Sequence, residues 1–309
     1  MFVMMNSARL GVGLQGVAIG ERALQLALSY ARERRQGGGA AATGVGMRPI
    51  IEHADVRRML MTMKAMVQAA RGICHLTALA IDGAHGGAEG PAKTMAAERA
   101  ALLTPVAKAF STDVGDEVAS LGVQVHGGMG YIEETGAAQY MRDARIAAIY
   151  EGTNGIQALD LVQRKLPLSG GAAMAREIAA MRAVAAGVER DGGPDFGEAA
   201  ARLGEAIDAL ERAAALMRDA LASDPLAAQG GAAAFLRLFG LALGGICLAK
   251  AGMAAQRLAA AGDAAQKGRV ALARFFAETI ATAAPGLERS LRSGAGALRQ
   301  YELALAEPA

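Results

Sequence analysis

Apolar residues recur along most of this chain at helical spacing, and this pattern restricts the fold more than any other feature. Leu10, Leu14, Val17, Leu24 and Leu28 are four, three, seven and four residues apart, so they share one face of a helix. Hydrophobic residues make up 53% of the chain, whereas aromatic residues make up 4% and Trp is absent. A core of Ala, Leu, Val and Met favours helix. The sequence predicts an all-α protein, a bundle of long antiparallel helices.

Three long helices are expected in the first part of the chain. The pattern predicts them over residues 6–35, 52–81 and 91–125, with a glycine-rich loop at residues 37–46. Thr104 and Pro105 predict a kink or a restart in the third helix, because Thr can cap a helix and Pro fits its first turn.

Shorter helices follow a glycine turn at residues 127–130. They are expected over residues 133–148 and from Thr153 or Asn154, either of which can cap, to Leu166. The inward face of the second short helix is predicted to consist of Ile156, Leu159, Val162 and Leu166.

The remainder of the chain, from residue 172 to about residue 300, is rich in Ala, Leu and Arg at helical spacing. Three or four helices fit it, with interruptions near residues 191–194, 224–225 and 261–263. Residues 167–171 indicate a boundary, so we expect one helical domain over 1–167 and a second over 168–309. The second domain carries no motif that indicates chemistry.

Bulk properties argue against several classes of protein. A net charge of +2 without a dense Lys/Arg stripe argues against nucleic-acid binding. The longest apolar run, Leu238–Ala249, is too short to span a bilayer, and no signal peptide is evident. The two cysteines, Cys74 and Cys247, favour a reducing, cytoplasmic compartment. No metal site is expected, because His126 has no second ligand in register.

Gly11, Gly13 and Gly16 formally match the glycine spacing of a dinucleotide-binding turn. That motif needs a preceding strand and a βαβ unit, and neither is predicted here. We therefore interpret these glycines as positions where another helix or a ligand approaches closely.

The residues 124–165 contain the best candidate for catalysis. Glu151 lies on a turn among apolar and small residues, while the charged residues Arg142, Asp143 and Arg145 lie upstream. This carboxylate is predicted to face something buried, where it could act as a general base on a rigid turn.

Five motifs in this order resemble one family. Residues 5–16, 30–36, 124–131, 141–145 and 150–154 are together similar to the C-terminal helical domain of acyl-CoA dehydrogenases. The chain beyond Pro167 resembles, less strongly, the extra C-terminal domain of the branch that includes methylmercaptopropionyl-CoA dehydrogenases.

The resemblance implies FAD-dependent α,β-dehydrogenation of an acyl-CoA thioester to the trans-2-enoyl-CoA. Glu151 matches the carboxylate that removes the α proton, while hydride passes to flavin N5 and electrons then pass to an electron-transfer flavoprotein. Some members place the base on the first helix, just before an Arg. Ala8 occupies that position here, before Arg9, so Glu151 is the base that the resemblance implies.

The resemblance also implies which residues bind the ligands. The matching cofactor positions for FAD, shared with a neighbouring subunit, are Arg34, Gln36, Gln124, Gly127, Gly128, Thr153 and Asn154. The matching positions for substrate are Arg9, Tyr150 and Gly152. A homodimer or a dimer of dimers follows from a cofactor held between subunits.

The chain departs from the family pattern in what it lacks. The family's N-terminal helical domain and middle β-domain have no counterpart here, and Gly155 stands where many members have Gln. Two interpretations follow. The chain is the catalytic C-terminal half of such an enzyme, or it is a non-catalytic helical module for assembly and oligomerisation.

Overall fold

Three long helices form the first half of the protein. The structure, a computed structural model, describes residues 2–37, 46–86, 89–263 and 266–306. Helices α1 (Phe2–Glu33), α2 (Ala54–His85) and α3 (Gly90–His126) pack against one another. The all-α prediction is confirmed. The predicted loop at residues 37–46 lies mostly outside the described residues, and an isolated bridge between Arg35 and Pro49 joins its two ends.

The remaining helices are shorter, with one exception. They are α4 (Gly128–Tyr131), α5 (Ala137–Ala147), α6 (Asn154–Asp160), α7 (Ala172–Asp191), α8 (Ala199–Ser223), α9 (Pro225–Ala260), α10 (Lys267–Phe275), α11 (Ala284–Leu298) and α12 (Tyr301–Leu305). Helix α6 continues into a π-helical turn over Leu161–Lys165.

Helix α1 packs directly on the backbone of α3. A Cβ atom added to Gly16 would lie 2.4 Å from the Ser111 carbonyl oxygen, and one added to Gly115 would lie 2.7 Å from the Gly16 carbonyl oxygen. Such distances leave no room for a side chain. At Gly13 and Gly16, the interpretation of the glycine motif as a close helix approach is therefore confirmed, whereas Gly11 has open space around its Cβ position.

Helix α9 is the central helix of the second half. It is 36 residues long and, by length and composition, could cross a membrane, although 78% of its most apolar window is buried in the protein. The apolar run Leu238–Ala249 is one part of this longer helix, and its side chains are mostly buried. Burial against neighbouring helices accounts for its apolar composition.

One hydrophobic core extends through both halves of the chain. Phe110 of α3 belongs to the same buried cluster as Phe235 and Phe239 of α9. A Cβ atom on Gly240 would meet the Phe110 ring at 2.1 Å, which shows how closely α9 approaches α3. The domain boundary after residue 167 stays a prediction.

The predicted helices differ from the structure in three details. Helix α3 does not restart at Pro105 but continues through it, and the Thr104 hydroxyl donates back to the Ala100 carbonyl (2.7 Å) instead of capping. The residues around Pro105 are all buried, so packing outweighs the lost hydrogen bond. Ile156 is 49% exposed, whereas Val162 and Leu166 are buried as expected. The second half contains an additional break at residues 276–283.

Candidate active site

The turn between α5 and α6 holds its backbone in an unusual conformation. Glu151 has a φ of 57°, and Gly152 has a φ of 83°. The left-handed region costs a residue other than glycine roughly 1–2 kcal/mol, and such strain concentrates at functional sites. The Asn154 N–H donates to the Ala148 carbonyl (3.0 Å) and so closes the turn.

Helix α6 begins at this turn with a side-chain cap. The Thr153 hydroxyl accepts a hydrogen bond from the Ile156 N–H at 3.3 Å, so Thr153 is the cap, one of the two residues predicted. Gln157 is fully buried, and its Nε2 donates to the carbonyls of Glu151 (3.4 Å) and Gly152 (3.3 Å). Hydrogen bonds from the buried Gln157 amide to two backbone carbonyls thus hold the turn in place.

Asn154, the first residue of α6, binds a polar network on α3. Its Oδ1 accepts from the Lys108 ammonium at 2.8 Å, and its Nδ2 donates to the Asp113 carboxylate at 2.6 Å. Burial lowers the pKa of Lys108 to about 8, although Asp113 and Glu151 act in the opposite direction. Burial also raises the pKa of Asp113.

Arg9 lies on α1 and contacts α6. Its guanidinium donates to the Asp160 carboxylate at 3.2 Å. Asp160 is almost completely buried and also binds Arg164 (2.6 Å) and Lys165 (3.8 Å), so its carboxylate forms ion pairs with three cationic side chains. The Arg9 side chain is therefore anchored next to the turn, and its Nε has no acceptor among the described residues.

Glu151 itself is exposed, which contradicts the prediction that it faces something buried. The turn lies at the surface of this chain, and the apolar side chains next to Glu151 are exposed as well. Ile149 is 48% exposed and Tyr150 is 37% exposed, and the Tyr150 hydroxyl donates to Gln15 on α1. Leu14 on α1, Ile146 on α5 and Ile156 on α6 are exposed as well. A carboxylate that has no hydrogen-bond or ion-pair partner among the described residues and stands between exposed apolar side chains is typical of a site that another surface covers.

A second group of candidate residues lies at the far end of α1 and α3. The ring of His126 stacks on Tyr30 with centroids 4.4 Å apart, and its Nδ1 is 2.7 Å from the Gly122 carbonyl oxygen. Gly127 has a φ of 60°, which favours glycine, and neither it nor Gly128 has an atom within 4 Å of its Cβ position. This turn is open to a ligand.

The structure thus separates the predicted cofactor residues into two groups. Arg34, Gln36, Gln124, Gly127 and Gly128 are all exposed at the far end of α1 and α3. Gln15 of α1 contacts Tyr150 in the first group, and Tyr30 of α1 contacts His126 in the second. These two residues of α1 are fifteen positions apart, so the two groups are separated by about 22 Å along the helix.

Thr153 and Asn154 lie instead beside Glu151, together with the predicted substrate residues Arg9, Tyr150 and Gly152. The Asn154 amide makes all its contacts within the chain, and the Thr153 hydroxyl caps α6. Both side chains therefore support the turn.

The sequence analysis did not identify the residues that support the turn. Lys108, Asp113, Gln157 and Asp160 all contribute, and three of them are fully or almost fully buried. A signal was present at Lys108, which stands between Ala107 and Ala109 in an otherwise apolar part of α3. A lone lysine in such a stretch indicates a specific acceptor.

Family comparisons assign each half of the chain. Residues 2–166 match the family model described as acyl-CoA dehydrogenase, C-terminal domain. Residues 174–301 match the model described as acetyl-CoA dehydrogenase C-terminal like.

Individual relatives extend over almost the whole chain. A 3-methylmercaptopropionyl-CoA dehydrogenase of Ruegeria pomeroyi is 45% identical over 91% of this chain and 48% of its own length. A butyryl-CoA dehydrogenase of Syntrophomonas wolfei is 30% identical over 95% of this chain and 48% of its own length. The chain thus spans about half the length of these curated relatives.

The solved structure of an acyl-CoA dehydrogenase complexed with FAD from Bacillus anthracis shares the fold. The aligned region covers 100% of this chain and 53% of the Bacillus anthracis chain, with a TM-score of 0.70 and 20% sequence identity. This likeness concerns the arrangement of helices.

Proposed function

This chain belongs to the acyl-CoA dehydrogenase family, and from that premise we propose that it forms the catalytic C-terminal half of an FAD-dependent acyl-CoA dehydrogenase. The observation that carries the proposal is Glu151, held at a φ of 57° on a braced turn and surrounded by exposed apolar side chains. The remaining half of the enzyme would cover this surface and complete the acyl pocket.

Glu151 is proposed to act as the general base. Its carboxylate takes the α proton of the acyl-CoA, and the electrons of that C–H bond form the Cα–Cβ double bond as hydride leaves the β carbon. FAD, when bound, supplies the acceptor for that hydride. The Glu151 backbone N–H is placed by the turn and would polarise the thioester carbonyl, which acidifies the α proton.

FAD is proposed to bind at the open turn after α3. Gly127 and Gly128 have open space at their Cβ positions, so a ligand can approach the backbone there, and the exposed Arg34, Gln36 and Gln124 lie at the same end of the bundle. Backbone amides and a planar guanidinium suit the diphosphate of the cofactor. Thr153 and Asn154 would contribute only by fixing the turn.

The assembly and the partners follow from the same proposal. We expect a homodimer or a dimer of dimers in the cytoplasm, in which one subunit's open turn meets the FAD of its neighbour. An electron-transfer flavoprotein is the expected electron acceptor. The names of the relatives make 3-methylmercaptopropionyl-CoA and butyryl-CoA the first substrates to test.

The experiment is anaerobic flavin bleaching by acyl-CoA in the intact, FAD-containing protein. Glu151→Gln is expected to slow bleaching by a factor of about 10³ while FAD stays bound. Glu189→Gln changes an exposed carboxylate on α7 and serves as the matched control. Unchanged bleaching in Glu151→Gln would rule out this residue as the base.

The alternative is a helical assembly module without redox chemistry. It is favoured by the exposure of Glu151 within this chain. A purified protein that oligomerises but neither binds FAD nor reacts with acyl-CoA would support that alternative.

A further inference from the structure

Lys108 is a cation in an unusual position. It lies within α3, is fully buried, and donates to the Asn154 amide oxygen at 2.8 Å. Burying an ammonium group is costly unless polar partners compensate. A neutral amide as the hydrogen-bonded partner leaves the positive charge of Lys108 largely available to its surroundings.

Asn154 connects Lys108 to the Glu151 turn. It is the first residue of α6, and its backbone N–H closes the turn on the Ala148 carbonyl. Its amide nitrogen binds Asp113 and the Ala109 carbonyl (3.2 Å), so the side chain is clamped between a cation and an anion. Removal of Lys108 would leave the Thr112 hydroxyl (3.2 Å) as the donor to the Asn154 oxygen and would so loosen one side of the clamp.

Three charged groups face Lys108 from three elements. Asp113 lies on the same helix, Arg9 on α1 and Glu151 on the turn. Burial is the main cause that lowers the pKa of Lys108 to about 8; Arg9 adds to it, and Asp113 and Glu151 oppose it. The carboxylates of Asp113 and Glu151 thus favour the ammonium form of Lys108.

We propose that Lys108 is a positioning residue for the general base: its buried ammonium fixes the Glu151 turn through Asn154 and presents a positive charge to the Glu151 carboxylate. This inference rests on the proposed function. A neutral amine is a weaker donor to the Asn154 oxygen than an ammonium group and presents no charge to Glu151, so activity is expected to fall as Lys108 loses its proton.

The test is the pH dependence of kcat/KM for acyl-CoA-dependent flavin reduction in the intact holoenzyme. The wild type should lose activity above about pH 8. In Lys108→Arg, which keeps its charge, this loss should move upward by at least about one pH unit. Lys108→Met should be slower by a factor of about ten or more, without a transition near pH 8.

The control is Thr104→Val, which removes another buried polar group of α3 away from the turn and should leave rate and profile unchanged. A Lys108→Met enzyme with the wild-type rate and profile would overturn the proposal, as would a Lys108→Arg profile that superimposes on the wild type.

Hydrogen exchange at residues 148–154 provides a readout that is independent of activity. Lys108→Met should speed exchange there, whereas Thr104→Val should not, and equal protection in all three proteins would refute the positioning role. If the wild type does not reduce its flavin at all, the proposed function fails, and this exchange measurement still decides the role of Lys108.

Discussion

Glu151 occupies a strained backbone position that its neighbours enforce. Gly152 beside it has a φ of 83°, and a Cβ atom there would lie 2.9 Å from the Gln157 Nε2. The turn therefore depends on the absence of a side chain at 152 and on the buried amide of Gln157. The Gly152 backbone and the Gln157 amide thus fix the position of the Glu151 carboxylate.

Gly152→Ala is expected to destabilise the protein by about 1–3 kcal/mol. An alanine here would have a strained left-handed backbone, and its Cβ would also lie too close to the Gln157 amide. Turnover should fall with it, since the turn carries the base. Gly155→Ala is the matched control. The added Cβ would lie 3.8 Å from the nearest side-chain atom, and alanine at this helical position should stabilise α6 by up to about 1 kcal/mol. Thermal denaturation and steady-state rates measure both. Equal effects of the two substitutions would contradict this description of the turn.

The buried Lys108 gives the free energy of unfolding a characteristic pH dependence. Its pKa is about 8 in the folded protein, whereas an unperturbed lysine has a pKa of 10.5, so between these pH values the unfolded chain binds more protons. Stability should rise with pH in this window by about 1–3 kcal/mol relative to Lys108→Met. Urea denaturation at pH 7, 8, 9 and 10 measures it. A constant difference between the two proteins would contradict a depressed pKa.

At the scale of elements, the contact between α1 and α3 positions the site. Gly16 and Gly115 bring the two backbones together, and the turn is held between them by Gln15 on one side and Lys108 on the other. The lateral position of α1 therefore sets the distance from Arg9 to the Glu151 turn.

Gly16→Val is expected to destabilise the protein by several kcal/mol, since a Cβ at this position would already lie 2.4 Å from a backbone oxygen. Gly11→Ala, on the same helix with open space at its Cβ, should be neutral or stabilising by about 1 kcal/mol. Thermal melts of the two variants test the packing of α1 on α3. Similar melting temperatures for both would show that this contact is not close.

The helices themselves could be predicted from the sequence, because apolar spacing, Gly and Pro are local signals. The close approach predicted from the glycine motif of α1 is confirmed at Gly13 and Gly16 but not at Gly11. The uninterrupted passage of α3 through Pro105 could not be predicted, because packing from distant helices decides it. The inward direction of Asn154 and the exposure of Glu151 likewise depend on α3 and on surfaces outside the local sequence.

At the scale of the whole molecule, the two halves share one core. Phe110 packs against Gly240 of α9, and a Cβ atom on Gly244 would lie 2.9 Å from the Ala69 side chain of α2. The second half thus packs against the helices that hold the turn.

Truncation after residue 167 is expected to expose the apolar surface that α9 covers. The shortened protein should aggregate or melt at a lower temperature than the full chain, because Phe110 and its neighbours would lose their packing partners. Size-exclusion chromatography and calorimetry measure the outcome. A monodisperse product with an unchanged melting temperature would show that the first half is stable alone.

The most direct test of the account is whether Glu151 moves the α proton. Acyl-CoA incubated in D₂O with the intact FAD-containing protein, then recovered for mass spectrometry, reports exchange at the α carbon. Deuterium uptake is expected with the wild type, and its rate should fall by a factor of about 10³ with Glu151→Gln. Equal uptake with both proteins would show that another group removes the proton.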